Sequence, residues 1–80
     1  MSMKINIEDF TAKIAEQFLE EDQPKVTKDI EFKLLNTFDS LTGMAMLGII
    51  KEEYKVDIPV NEFRKMTTIN ELYDYINNVK

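Results

Sequence analysis

Eighty residues limit the chain to one domain with a thin core, since a chain of this length buries only about two-thirds of its unfolded surface. A net charge of −5 argues against nucleic acid, whose phosphates demand a basic face. It suits partners with basic docking surfaces, or simply keeps a small domain soluble. The chain contains neither Cys nor His, which removes disulfides, thiolate nucleophiles, imidazole bases and the usual zinc sites. A self-contained enzyme is not expected, and any reactive group would have to come from outside.

The opening "MSMKINIEDF" has no signal-peptide core, and no apolar run approaches the roughly 20 residues that span a bilayer. The expected location is the cytoplasm, with no membrane insertion. Residues 1–80 read as a single unit without repeats, low-complexity tracts or linkers.

The first helix is marked by Ile7, Phe10, Ile14 and Phe18 on one stripe. Asn6 is its expected cap, with Asp9 three residues on and Ile5 and Phe10 in the staple positions. It is expected to run to Leu19 or Glu20, where "EEDQP" crowds acids at the negative helix end ahead of Pro24. Residues 21–38 lack a clean period, but Val26, Ile30, Phe32, Leu34, Leu35 and Phe38 run through them. A long segment of this kind reads as a strap pinned across the bundle, with a turn of helix around Ile30 to Leu35.

The second helix is expected from Asp39 or Ser40 to Tyr54. Placing residues 100° apart puts Gly43, Met46, Leu47, Ile50 and Tyr54 on a core face. Leu41, Met44, Ala45 and Gly48, extended by Glu52, fall on the opposite face, which is apolar where it should be wet. A helix hydrophobic all round is either buried or meets a partner. "VDIPV" reads as an extended connector, because Ile58 precedes Pro59. Asn61 is the expected cap of a short helix to about Lys65. Thr68, with Glu71 completing a capping box, opens a last helix whose stripe is Ile69, Leu72, Tyr73 and Ile76, extended by Val79. The expected fold is all-α: a small four-helix bundle of three longer helices and one short one, with a long loop between the first two.

Ser40 at the first turn of the second helix faces free N–H groups and the positive dipole end. An anion on its Oγ would be favoured there, and a phosphate ester is a natural candidate. Asp39 could cap the helix or help hold a divalent metal during phosphoryl transfer. The plain alternative is that Asp39 and Ser40 only cap. Glu52, Glu53 and Asp57 read as a solvated helix end open to partner contact, with a metal or acid–base cluster as the alternative.

The stretch "FDSLTGMAMLGIIKEEYKVDIPVNEFRKMTTINELYDYI", Phe38 to Ile76, resembles the acyl carrier protein family. D-S-L opens the second helix, "VDIP" matches the connector, "MTTINEL" the entry to the last helix and "YDYI" its body, while Phe32, Leu35 and Phe38 look like the apolar pins of the loop. The resemblance implies a carrier rather than a catalyst. Its implied cofactor is 4′-phosphopantetheine, attached to Ser40 by a separate phosphopantetheinyl transferase, with Asp39 supporting transfer. The thiol that the chain lacks would thereby be imported, and would hold acyl groups as thioesters. The resemblance also makes Leu41, Met44, Ala45, Gly48 and Glu52 a recognition surface for the transferase and for acyl-loading, condensing or transferring enzymes. It makes Ile58, Val60, Phe63 and Met66 a cleft for an acyl chain; plain core packing is the alternative. A monomer is expected.

Four positions depart from the family pattern. Thr37 stands where a Gly is typical, Phe38 where small residues are, and Thr42 and Ala45 where acids are common. The early second helix therefore lacks the acidic surface that basic partners read, which points to a dedicated lipid or secondary-metabolite pathway rather than general fatty-acid synthesis. An aminoacyl, peptidyl or D-alanyl carrier would use the same serine, and an unmodified helical adaptor would use only the apolar stripe.

Overall fold

Asn6 begins the fold by accepting from the N–H groups of Glu8 and Asp9 at 2.8 and 3.0 Å. In the computed structural model, which describes residues 5–79, this cap opens α1, Ile7–Ala15. Three further helices follow: α2, Ser40–Tyr54; α3, Val60–Phe63; and α4, Ile69–Val79. Two 3₁₀ turns, Gln23–Lys25 and Phe32–Leu34, interrupt the segment between α1 and α2. Among the described residues there is no strand, only an isolated antiparallel bridge between Glu31 and Thr68. The all-α expectation holds.

α1 ends earlier than its apolar period suggests. After Ala15 the hydrogen bonds tighten to i→i−3, with Gln17 N–H on the Ile14 carbonyl and Phe18 N–H on that of Ala15, both at 3.0 Å. The Lys13 carbonyl, which another α-turn would have used, accepts instead from Gln17 Nε2. Phe18 is still carried into the core, whereas Leu19 is exposed.

Phe10 and Ile14 from α1, Met46 and Ile50 from α2, and Ile69, Leu72 and Ile76 from α4 are fully buried against one another. Phe32 from the connecting segment completes this layer. Tyr54 and Tyr73 flank Phe10 with ring centroids 5.4 and 6.0 Å away, distances typical of favourable aromatic pairs. Tyr73 Oη donates to the Ile5 carbonyl, tying α4 to the entry of α1.

The connecting segment is a pinned strap, as expected. Phe32 N–H donates to the Thr67 carbonyl at 3.2 Å, and Asn70 N–H to that of Lys28 at 2.9 Å. Asn70 Nδ2 reaches Asp29 Oδ1 at 2.7 Å. The expected turn of helix is the 3₁₀ turn at Phe32–Leu34.

α2 stops at Lys55, which adopts the left-handed conformation at φ 62° and donates its N–H back to Lys51. Along the extended connector Val56 and Ile58 point inward while Asp57 and Pro59 stay exposed, the alternation of a half-buried extended segment. α3 then begins two residues before the expected start, with Pro59 rather than Asn61 as its cap. The Pro59 carbonyl already accepts from Phe63 N–H at 3.0 Å, so Pro59 is the cap and Asn61 lies inside the helix. At α4 the capping box forms: Thr68 N–H donates to Glu71 Oε1 at 3.2 Å, and Glu71 N–H to Thr68 Oγ1 at 3.3 Å. Val79 does not extend the buried stripe; it lies beyond the last packed turn and is exposed.

Candidate functional site

Ser40 is the first residue of α2 and is exposed. Asp39 precedes it in extended geometry, at φ −150° and ψ −174°, and caps the helix by accepting from Thr42 N–H at 2.9 Å. Thr42 Oγ1 also lies 3.0 Å from the same oxygen, Asp39 Oδ1, and 3.3 Å from the Thr37 carbonyl. One hydroxyl proton is shared between these two acceptors. The Thr42 N–H and then its hydroxyl hold the Asp39 carboxyl below the ordinary carboxylate range, against the opposing effect of burial. Ser40 is thus the exposed hydroxyl at a helix tip whose neighbours are fixed and whose field favours an anion.

The turn before Ser40 is held from both sides. Phe38 lies against Phe18 and Phe32, at centroid distances of 6.1 and 5.8 Å. Phe32 in turn meets Phe63 of α3 at 5.9 Å. These rings close over Gly43: a Cβ there would stand 3.3 Å from Phe63 Cε2 and 3.4 Å from Phe38 Cζ. What constrains Gly43 is the aromatic cluster packed against the helix backbone, not its backbone angles. On the polar side Thr37 donates both its N–H and its hydroxyl to Asp22 Oδ2, at 2.8 and 2.6 Å.

The outward stripe of α2 is where the helical period puts it. Leu41 and Met44 are 76% and 69% exposed, unusual for large apolar side chains in adjacent turns, and Gly48 and Glu52 are exposed with them. Ala45 is half-buried. Beside Gly48 there is open space: no atom lies within 4 Å of where its Cβ would be.

Ile58, Phe63 and Met66 are buried in the core, while Val60 is 56% exposed and stands outside that group. Lys33 bridges this region to the strap. Its ammonium donates to the carbonyls of Phe63 and Arg64 at 2.8 and 3.2 Å, and lies 4.8 Å from the centre of the Phe63 ring. Burial pushes the Lys33 pKa down, partly countered by the charge of Glu71. Glu52, Glu53 and Asp57 are exposed, and Asp57 makes a surface ion pair with Lys51 at 3.7 Å.

Asp22, Lys33 and Gly43 gave no site signal in the sequence. Asp22 sits in an acidic run that reads as a helix stop, and its bond partner lies fifteen residues on. The clue available was Thr37, which departs from the usual pattern at the position that donates to Asp22.

A model of the phosphopantetheine attachment site matches residues 9–76. The acyl carrier protein of Thermosynechococcus vestitus is 33% identical over 72 residues, covering 90% of this chain and 88% of that protein. No solved structure matches the chain. No helix among the described residues is long and apolar enough to cross a membrane.

Proposed function

The chain belongs to the acyl carrier protein family, whose members are carriers rather than enzymes and whose covalent prosthetic group is 4′-phosphopantetheine, and on that premise we propose that Ser40 bears the group in this protein. The observation that carries this reading is the exposed Ser40 hydroxyl on the first residue of α2, beside a cap already completed by Asp39. The residues present fit a phosphoester. Ser40 is exposed, and the helix tip stabilises an exposed anion by about 0.3–1 kcal/mol. When bound, the group supplies a terminal thiol that holds a carboxylic acid as a thioester.

Asp39 supports the transfer by keeping Ser40 at the helix mouth and by remaining ionised, through its bonds to Thr42, at any pH near neutrality. Leu41, Met44, Ala45 and Gly48, with Glu52 at the far end, form the partner surface. Methionine adapts to varied shapes, and the bare backbone at Gly48 permits close approach. Thr42 is turned inward and Ala45 carries no charge, so docking on this face is more apolar than acidic and only weakly sensitive to salt.

That chemistry favours acyl transfer in a dedicated lipid or secondary-metabolite pathway, and the carrier proposed here works in the cytoplasm as a monomer. Ile58, Phe63 and Met66 supply the apolar lining for an acyl chain, while Val60 lies outside them. Co-expression with a broad-specificity phosphopantetheinyl transferase and intact-mass measurement tests the attachment. The wild type gains one phosphopantetheinyl group and Ser40→Ala gains none; a Ser40→Ala protein that is still modified refutes it. Mass spectrometry of the thioester recovered from native cells tests the cargo, and an aminoacyl species there rejects the acyl reading. Efficient malonyl loading and elongation by general fatty-acid enzymes would reject the dedicated pathway.

A further inference from the structure

Asp22 is a fully buried carboxylate on a loop far in sequence from Ser40. It occupies the N-cap of the first 3₁₀ turn, yet makes no side-chain cap bond there. An aspartate at such a position ordinarily spends its oxygens on its own turn. This one spends Oδ2 on the N–H and hydroxyl of Thr37, at 2.8 and 2.6 Å. Its Oδ1 is buried with no hydrogen bond among the described residues, and faces the Lys25 ammonium at an ion-pair distance of 3.5 Å. A buried carboxylate is tolerated only where it is hydrogen-bonded and paired, and here Thr37 supplies both hydrogen bonds and Lys25 the counter-charge.

What it holds is the approach to the serine. From Thr37 the contacts continue through its carbonyl to Thr42 Oγ1, and from Thr42 to Asp39 Oδ1. Asp22, Thr37, Thr42 and Asp39 therefore form one hydrogen-bonded chain that ends on the residue before Ser40 and does not include Ser40 itself. The Phe38 ring, wedged between Phe18 and Phe32, fixes the other side of the same turn. Elsewhere in the family pattern a glycine stands at the position of Thr37. Here a side chain is present, and it is the side chain that the buried acid grips.

Resting on the assignment of Ser40 as the attachment residue, we infer that Asp22 is a positioning residue for the modification of Ser40, acting through Thr37 and Thr42 to hold the Asp39–Ser40 turn in the conformation presented to the transferase. Asp22 touches none of the reacting atoms. Releasing Thr37 frees the turn to move, and displacements of about 1 Å at a reacting hydroxyl reduce rates by one to two orders of magnitude.

The test compares wild type, Asp22→Ala, Asp22→Asn, Thr37→Val and Ile14→Val, the last as a destabilised core control outside the hydrogen-bonded chain. Transfer from coenzyme A by a broad-specificity transferase is measured well below each melting temperature, together with hydrogen exchange at the Thr37 and Thr42 amides of the unmodified proteins. Asp22→Ala is expected to lower kcat/KM about tenfold or more, mainly through kcat, and to speed exchange at Thr37. Asp22→Asn, which retains an oxygen to accept both Thr37 bonds, restores both, and Ile14→Val transfers as the wild type does. Thr37→Val, which removes only the hydroxyl bond, lowers transfer in the same direction and decides the matter if Asp22→Ala does not fold. Wild-type kcat/KM in folded Asp22→Ala or in Thr37→Val, or an equal loss in Ile14→Val, overturns the positioning role. A wild-type protein that takes up no phosphopantetheine overturns the reading of Ser40 itself, a separate result.

Discussion

The two glycines of α2 should respond in opposite ways to the same substitution. In a helix interior Gly is about 0.8–1.0 kcal/mol less favourable than Ala, chiefly because it gives up more conformational freedom. At Gly48 the added methyl meets nothing within 4 Å, so Gly48→Ala should collect most of that gain, about 0.5–1 kcal/mol. For a domain of this size 1 kcal/mol shifts the melting temperature by about 4–8 °C, so a rise of roughly 2–8 °C is expected. At Gly43 the same methyl arrives 3.3 Å from Phe63 Cε2 and 3.4 Å from Phe38 Cζ. Both rings are themselves braced by Phe32, at 5.9 and 5.8 Å, and cannot yield independently. Overpacking of this kind typically costs about 1–3 kcal/mol, which cancels the propensity gain or exceeds it. Thermal and urea unfolding of the unmodified proteins should therefore place Gly48→Ala above wild type, and Gly43→Ala level with it or below. Equal stabilisation by both alanines would refute the claim that the aromatic cluster is built against the Gly43 backbone.

Other consequences follow from the polar contacts. Asp22, Asp39 and Glu71 all have carboxyl pKa values lowered by hydrogen bonds, from Thr37, Thr42 and Thr67 respectively. A folded pKa below the unfolded value means that the stabilisation is fully present above the ordinary carboxylate range and disappears as pH falls through the folded values. With no His in the chain, the urea midpoint should be flat between about pH 6 and 8 and fall only below about pH 4.5; a marked loss between pH 7 and 6 would contradict this. Lys33→Met removes both hydrogen bonds to the end of α3 while keeping an apolar stem against Phe63. A loss of about 1–2 kcal/mol is expected, with hydrogen exchange accelerated in α3 more than in α2 or α4. Uniform acceleration would show that Lys33 stabilises the whole domain instead.

The sequence carried most of the architecture where one physical signal dominated. Asn6, Asp39 and the Thr68–Glu71 box are short-range caps, legible from a few neighbouring residues, and each bounds its helix in the structure. The outward exposure of Leu41 and Met44 followed from helical geometry alone. The misses were places where backbone or distant groups intervened. The stripe through Phe18 continued past the end of α1, but Gln17 took the Lys13 carbonyl and tightened the turn. Asn61 was a plausible cap by residue type, yet the Pro59 carbonyl started α3 first. The support beneath Ser40 was hidden for another reason: Asp22 and Thr37 are brought together by the path of the strap, and no local pattern encodes that path.

The central claim is that the residue which bears the prosthetic group is Ser40, chosen from the hydroxyls around the mouth of α2. Tandem mass spectrometry of a peptide spanning residues 34–51 from the modified protein tests this directly, because Thr37, Ser40 and Thr42 lie on the same fragment. The phosphopantetheinyl group should be found on Ser40 alone, since Thr37 and Thr42 hydroxyls are engaged with Asp22 and Asp39. Finding it on either threonine, or on no residue of this peptide, would contradict the account.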